Sequence, residues 1–200
     1  MPTRDSDIRS ALYATELARY EACSDSLVLH ELGICQGEFR IDVAVVNGAL
    51  HGYEIKSDRD TLGRLPAQSA AYGRVFDTVT LVVGTSHLEA ALQVVPEWWR
   101  VLAASAGAGQ PALRLVRIGS RNPAPDPLAV AQLLGRDELI AILEECQAPK
   151  KLLRRPKWEL WPALVALLEP EEMAARLRTA LKRRQSWRTP PGREAASPPS

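Results

Sequence analysis

Apolar and polar positions alternate most cleanly between Arg40 and Lys56, RIDVAVVNGALHGYEIK. Two strand-like runs, Arg40 to Val46 and Leu50 to Lys56, flank Asn47-Gly48, a pair that favours tight reversal, and together they predict a β-hairpin. Upstream, Ile8, Leu12, Leu17 and Tyr20 form a loose stripe at helical spacing, which Leu27, Val28 and Leu32 continue past Ser24-Asp25-Ser26. Those three residues cap helices well, so Asp7 to Gly33 is expected to form two short helices, with Gly33 ending the second.

Downstream, Pro66 suits the first turn of a helix that runs to about Phe76 and places Gln68 and Tyr72, four apart, on one face. Thr78 to Val83 is an unbroken β-branched and apolar run, as a buried strand requires, and strand–helix–strand predicts a right-handed crossover. Ser86 to Val95 reads as a helix capped by Ser86 and stopped by Pro96. Trp98 to Ala103 and Leu113 to Ile118 read as short strands around a Gly- and Ala-rich turn at 106–109. Asn122 to Pro127 is Pro-rich and reads as a boundary, beyond which 127–134, 136–146, 157–168 and 170–185 have helical spacing. The expected organisation is an α/β core over 1–122, a basic helical extension over 123–185, and a disordered Pro- and Ser-rich tail over 186–200.

The hairpin's turn length decides which side chains share a face. A two-residue Asn47-Gly48 loop pairs Ile41 with Glu54 and points Asp42 and Glu54 to opposite faces. A three-residue loop of Asn47, Gly48 and Ala49, or one bulge at Gly52, pairs Asp42 with Glu54. Ile41, Val43, Val45, Tyr53 and Ile55 would then line a core face, and Asp42, Ala44, Gly52, Glu54 and Lys56 a face with a small-residue cleft. The shorter loop would bury Glu54 and Lys56 among apolar residues at several kcal/mol each, so the longer register is expected.

Composition narrows the class further. Of 200 residues, 46% are hydrophobic and 24% charged, which supports an ordinary globular core. The net charge of +1 conceals an asymmetry: from Lys150 to Arg188, eleven basic residues face four glutamates. Cys23, Cys35 and Cys146 are odd in number and lack ligand spacing, so neither a disulfide framework nor a zinc site is expected. The polar start MPTRDSD has no signal-peptide character and no apolar run reaches a membrane span, so a cytoplasmic protein is expected.

Asp42, Glu54 and Lys56 on one face suit phosphodiester hydrolysis, which needs charge neutralised on the phosphate and hydroxide at neutral pH. A bound Mg²⁺ supplies both and takes one or two carboxylates plus waters and substrate oxygens. The Ile55 carbonyl is a further candidate ligand, and Lys56 is placed to orient water or to stabilise charge on phosphorus.

Asp42, then Glu54-Ile55-Lys56, then Gln68-Ser69-Ala70-Ala71-Tyr72 resembles the PD-(D/E)XK nuclease superfamily, in particular members with the RecB-type arrangement. The stretch from Glu31 through Trp99 is similar to a family of small bacterial proteins placed there. The resemblance implies a restriction-endonuclease-like α/β fold with a mixed sheet, in the order helix, three-stranded meander, helix, strand. It implies Asp42 and Glu54 as ligands of Mg²⁺ or Mn²⁺, Lys56 as the catalytic lysine, and Gln68 and Tyr72 as residues that position the site or the nucleic acid. Glu31, expected on a helix, stands where many members carry an additional metal-binding acid. Arg40-Ile41 replaces the motif's proline, and the basic helical end has no counterpart in the superfamily core.

Other residues have competing readings. His30, His51 and His87 lack ligand spacing, with His51 expected to be solvated near the turn, and Asp58 and Asp60 fit loop and cap positions. Arg59 and Arg64 are candidates for phosphate contact, with exposed charge as their simpler explanation, whereas Arg154, Arg155 and Lys157 in the basic end are expected to track a phosphate backbone. Trp158 and Trp161 fit either a base-stacking role or the core stripe of Leu160, Leu164, Leu167, Leu168, Leu177 and Leu181, while Trp98 and Trp99 fit a core. The leading expectation is a metal-dependent nuclease acting on nucleic acid, DNA first. Its rivals are a catalytically inactive nucleic-acid-binding or regulatory module, and an acidic cleft that binds a partner protein.

Overall fold

In the computed structural model, which describes residues 2–107 and 111–184, the chain enters through a helical segment that changes pitch. Helix α1 (Asp5–Leu12) passes into a π-helical turn (Tyr13–Leu17) and then α2 (Ala18–Glu21). Asp5 and Asp7 in the first turn of α1 complement the helix dipole. Ile8, Leu12 and Leu17 are fully buried although spaced four and then five apart. The wider turn absorbs the extra residue and holds Leu17 on the buried face.

The second expected helix is a strand, β1 (Leu27–Ile34). Over so short an apolar run, helical spacing and strand alternation are hard to separate, and pairing decides between them. β1 lies antiparallel to β2 (Phe39–Val46), with Leu27 opposite Val46 and Ile34 opposite Phe39. Leu29 and Leu32, three apart, join the same buried cluster, as do Ile41 and Ala44 on β2. Both strands therefore slip by one side chain at Glu31 and Asp42, while the pairing on either side keeps one register. Glu31 adopts a positive φ of 53° there, a conformation that costs a residue with a Cβ roughly 1–2 kcal/mol.

β2 runs antiparallel to β3 (Leu50–Lys56) with Val46 opposite Leu50 and Val43 opposite Tyr53. The loop thus has three residues, the register that places Asp42 opposite Glu54. Ala49 N–H donates to Asn47 Oδ1 and Asn47 N–H to the Ala49 carbonyl, which holds the turn. The face assignment needs one correction, because the slip at Asp42 sends Ile41 away from Val43 and Val45 to the opposite face. The space above Gly52 is also no cleft. A Cβ there would collide with Ile41 Cδ1 and lie 3.2 Å from the Phe76 ring. Gly52→Ala is expected to cost about 1–3 kcal/mol and to lower the Tm by several degrees. An unchanged Tm in thermal unfolding would refute this account of the glycine.

Helix α3 (Leu65–Gly73) leads to β4 (Thr78–Gly84), parallel to β3. A 3₁₀ turn (Thr85–His87) and α4 (Leu88–Leu92) lead to β5 (Arg100–Ser105), parallel to β4, and β6 (Ala112–Arg117) returns antiparallel. Ser86 does not cap a helix; its N–H and hydroxyl both donate to Asp58 Oδ1. The six strands stand in chain order, a mixed sheet in an α/β fold. The expected turn at 106–109 lies partly outside the described residues, and the expected tail lies wholly outside them.

Helices α5 (Pro127–Ala131), α6 (Arg136–Glu145), α7 (Lys150–Leu153), α8 (Lys157–Leu167) and α9 (Pro170–Arg183) follow. α1 and its π turn cover one sheet face over Val43, Val45, Tyr53, Ile55, Val82 and Leu102. α3 and the C-terminal helices cover the other in one buried cluster that joins Tyr72, Phe76 and Trp99 to Leu139, Leu160 and Leu177. The core runs on through the Pro-rich stretch, where buried Asn122 donates to the Gly73 and Phe76 carbonyls at 2.7 and 2.9 Å. Trp161 is buried and Trp158 exposed, while Leu167 leaves the expected core stripe and is half exposed. Among the described residues, no helix is long and apolar enough to cross a membrane.

Candidate active site

The site forms where β2 and β3 part. Their ladder ends at Val43–Tyr53, and the Asp42 carboxylate takes over, accepting the Ile55 N–H on Oδ2 at 2.7 Å. Glu54 is only 2% exposed, and both of its oxygens are engaged. Lys56 Nζ and Gln68 Nε2 donate to Oε1 at 2.5 and 2.7 Å, and the Tyr72 hydroxyl lies 2.7 Å from Oε2. That hydroxyl also lies 2.7 Å from the Arg40 carbonyl and 3.1 Å from Gln68 Nε2. The i, i+4 spacing on α3 that put Gln68 and Tyr72 on one face thus aims both at the carboxylate. The Tyr72 ring stacks on Trp99 with centroids 6.1 Å apart, which fixes its direction.

Asp42 is a stressed acid. Burial, and next the charge of Glu54, push its carboxyl up to about 7; the Ile55 N–H and Arg9 pull it down by less. Burial, then the Glu54 charge and hydrogen bond, likewise raise the Tyr72 phenol far above its usual range and keep it protonated as a donor. An acid whose charge its surroundings leave under-compensated, beside a second carboxylate, is a suitable donor set for a hard cation.

The lone-pair count leaves room for an ion. A carboxylate offers roughly four acceptor sites. On Asp42, Oδ2 has one donor in Ile55, and Oδ1 has one in Arg9 Nη2 at 3.2 Å. Among the described residues, Glu54 Oε2 has only the Tyr72 hydroxyl, and buried Gln68 Oε1 has no hydrogen-bond partner. The residues therefore fit a six-coordinate ion held by one or two carboxylates, with the Ile55 carbonyl and waters as the other ligands. No cluster of three or more His, Cys, Asp or Glu side chains spaced to hold a metal occurs among the described residues.

Glu31 requires correction. It lies on β1, not on a helix, is exposed, and approaches Arg9 Nη2 at 3.7 Å. Arg9, on α1, is the residue that the sequence reading missed. Its guanidinium bridges Asp42 and Glu31 and approaches the Asp42 carbonyl. No local signal marks it, because only tertiary packing lays α1 beside the end of the hairpin.

The remaining candidates lie apart from this cluster. Arg59 and Arg64 are exposed in the β3–α3 connection, and Arg154 is exposed at the end of α7. Arg155 pairs with Glu159, and Lys157 Nζ sits 4.8 Å from the Trp161 ring centroid. Asp58 is more than a loop residue: it accepts from Thr3 and Ser86 and ties the chain start to the β4–α4 turn. Asp60 Oδ2 accepts the Ser57 N–H and hydroxyl. His51 is not solvated as expected, since Nδ1 lies 2.6 Å from Thr78 Oγ1 and Nε2 3.2 Å from Asn47 Oδ1.

Fold and site together define a mixed α/β protein with a buried acid–lysine cluster where two central strands diverge. Residues 3–189 match the family described as Bacteriophage P4 protein cII, and the chain belongs to that family. Protein cII of Enterobacteria phage P4 is 34% identical over 79 residues, which is 40% of this chain and 30% of that protein. The match thus spans under a third of the relative's length. Among solved structures, the SPO1766 protein of unknown function from Silicibacter pomeroyi is similar at 19% identity, over 60% of this chain and 77% of that one, with a TM-score of 0.39.

Proposed function

We propose that the protein is a divalent-metal-dependent phosphodiesterase that acts on nucleic acid, DNA first, through a PD-(D/E)XK-type site. The observation that carries this reading is the convergence of Asp42, Glu54 and Lys56, with Glu54 fixed by Gln68 and Tyr72. Asp42 and Glu54 would hold Mg²⁺ or Mn²⁺, with the Ile55 carbonyl as a further ligand. When bound, the ion supplies charge neutralisation and hydroxide at neutral pH.

The chain's own residues do the rest. Gln68 and Tyr72 lock the Glu54 carboxylate in one rotamer, so its free lone pair points in a fixed direction. Lys56, held at Glu54 Oε1, keeps an ammonium beside the reacting centre, where it orients the attacking water and offsets charge developing on phosphorus. Burial of this group excludes bulk water and strengthens each of these interactions.

A rival reading has one observation in its favour: Lys56, Gln68, Tyr72 and Arg9 already give both acids partners, as in a nucleic-acid-binding module without catalysis. The test is cleavage of labelled single- and double-stranded DNA in Mg²⁺ or Mn²⁺. Lys56→Ala is expected to lower the rate at least a hundredfold, the scale of removing one positioned charge stabiliser. Because it also leaves Glu54 buried without its cation, the rate is compared in protein shown to be folded by circular dichroism, where DNA binding is expected to be intact. Wild-type protein that binds DNA but cuts no substrate in either metal would overturn the enzymatic reading in favour of the binding module.

A further inference from the structure

A second feature adjoins the acids and is not used by the chemistry above. An open groove of about 740 Å³ runs along α1 and the π turn against β1, with Arg9, Ser10, Tyr13, Ala14, His30 and Glu31 among its walls. Its volume is that of a small-ligand site. Arg9 lines the groove and also contacts Asp42 Oδ1, so this one side chain links the groove to the candidate active site.

The groove has an aromatic wall. The Tyr13 and His30 rings lie nearly parallel, with centroids 5.6 Å apart at 15°, and the Tyr13 hydroxyl lies 2.5 Å from His30 Nε2. Burial, and then the Arg9 charge, lower the pKa of His30, so the imidazole is neutral near pH 7 and the pair is an uncharged π surface. Tyr13 opens the π turn, the widened turn that lets Leu17 stay in the core while Tyr13 stays at the groove. π turns of this kind recur at functional sites. The Ser6 and Ser10 hydroxyls and the carboxylates of Glu21 and Glu31 add acceptors suited to the exocyclic amines of an unpaired base.

We propose that this groove binds an unpaired nucleotide of a single-stranded nucleic acid, stacked against Tyr13 and His30, with the neighbouring phosphate directed by Arg9 towards Asp42. The inference rests on the nuclease-site reading for its direction, but the stacking site can be tested separately. Only an unpaired base can enter a crevice between one helix and one edge strand, so the ligand is single-stranded. Base–aromatic stacking of this kind tolerates any sequence.

The test is fluorescence anisotropy of a short labelled DNA single strand with the full chain in EDTA, which removes any contribution from metal. Tyr13→Ala is expected to weaken binding about tenfold, and Tyr13→Phe, which keeps the ring, to bind within about threefold of wild type. Ala14→Leu narrows the groove at an exposed position without removing any interaction in the fold, and it is expected to weaken binding as Tyr13→Ala does. A strand carrying a fluorescent purine should show quenching at one position in wild type that Tyr13→Ala abolishes. Wild-type affinity in Ala14→Leu, or no strand binding by the wild-type protein, would overturn the proposal. Calorimetric titration of Mn²⁺ reports on the acids independently. Groove-dependent strand binding without Mn²⁺ binding upholds the groove and sinks the metal site, and the reverse pattern does the opposite.

Discussion

Glu54→Ala is expected to destabilise the fold by about 3–5 kcal/mol and to abolish any hydrolysis, because it strands a buried cation. Lys56 is 7% exposed, and Glu54 is the anion paired with it. The substitution also removes the acceptor of Gln68 Nε2, and Tyr72 loses its partner at Glu54 Oε2. A loss of this size is a large part of the ~5–15 kcal/mol that holds a domain together. The double variant Glu54→Gln with Lys56→Met separates the causes. It leaves an amide oxygen to accept from Gln68 Nε2 and an amide N–H that the Tyr72 hydroxyl can accept while it donates to the Arg40 carbonyl, and it removes the stranded charge. It should therefore recover most of the stability in urea unfolding while remaining inactive. If Glu54→Ala alone unfolds at the wild-type urea concentration, the buried ion pair is not what fixes this carboxylate.

Asp42→Asn is expected to do the opposite to stability. The Asp42 carboxyl is held up to about 7 in the fold, against 3.8 in the unfolded chain. Between those values the unfolded chain has already lost the proton while the folded one keeps it. Stability from this group therefore falls as pH rises through the window and levels off above it. Asparagine has no charge to resist, and its amide oxygen can still accept the Ile55 N–H. The stability of Asp42→Asn relative to wild type should grow by on the order of 2 kcal/mol between pH 5 and pH 8. Mn²⁺ should raise the Tm of wild type and leave that of Asp42→Asn unchanged. A stability difference that stays flat with pH would show that burial and the Glu54 charge do not raise the Asp42 carboxyl. Together the two variants would mark the acid pair as a place where fold stability is given up for a site that a cation could complete.

The hairpin was legible because its information is local. Alternation set the strands and favoured the three-residue register, in which Glu54 and Lys56, expected beside an open cleft, are instead buried and paired with each other. Gln68 and Tyr72 were legible for the same reason, since four residues along a helix always share a face. Strand β4 and helix α3 announced themselves through composition and Pro66.

What failed locally failed because partners decide it. Leu27 to Ile34 contains apolar spacing that a helix could use, and it becomes a strand because the edge of β2 offers it a ladder of hydrogen bonds. The paired slip at Glu31 and Asp42 exists only where two strands must distort together, so neither strand's sequence displays it. The sequence by itself determined the hairpin, its register and the helix face that meets Glu54, because strand period, turn length and helix period act within a few residues. Tertiary structure alone decided the strand identity of β1, the filling of the space over Gly52 by Ile41, and the reach of Arg9 from α1 to Asp42. Those contacts join residues far apart in the chain, and their energy appears only when whole elements pack.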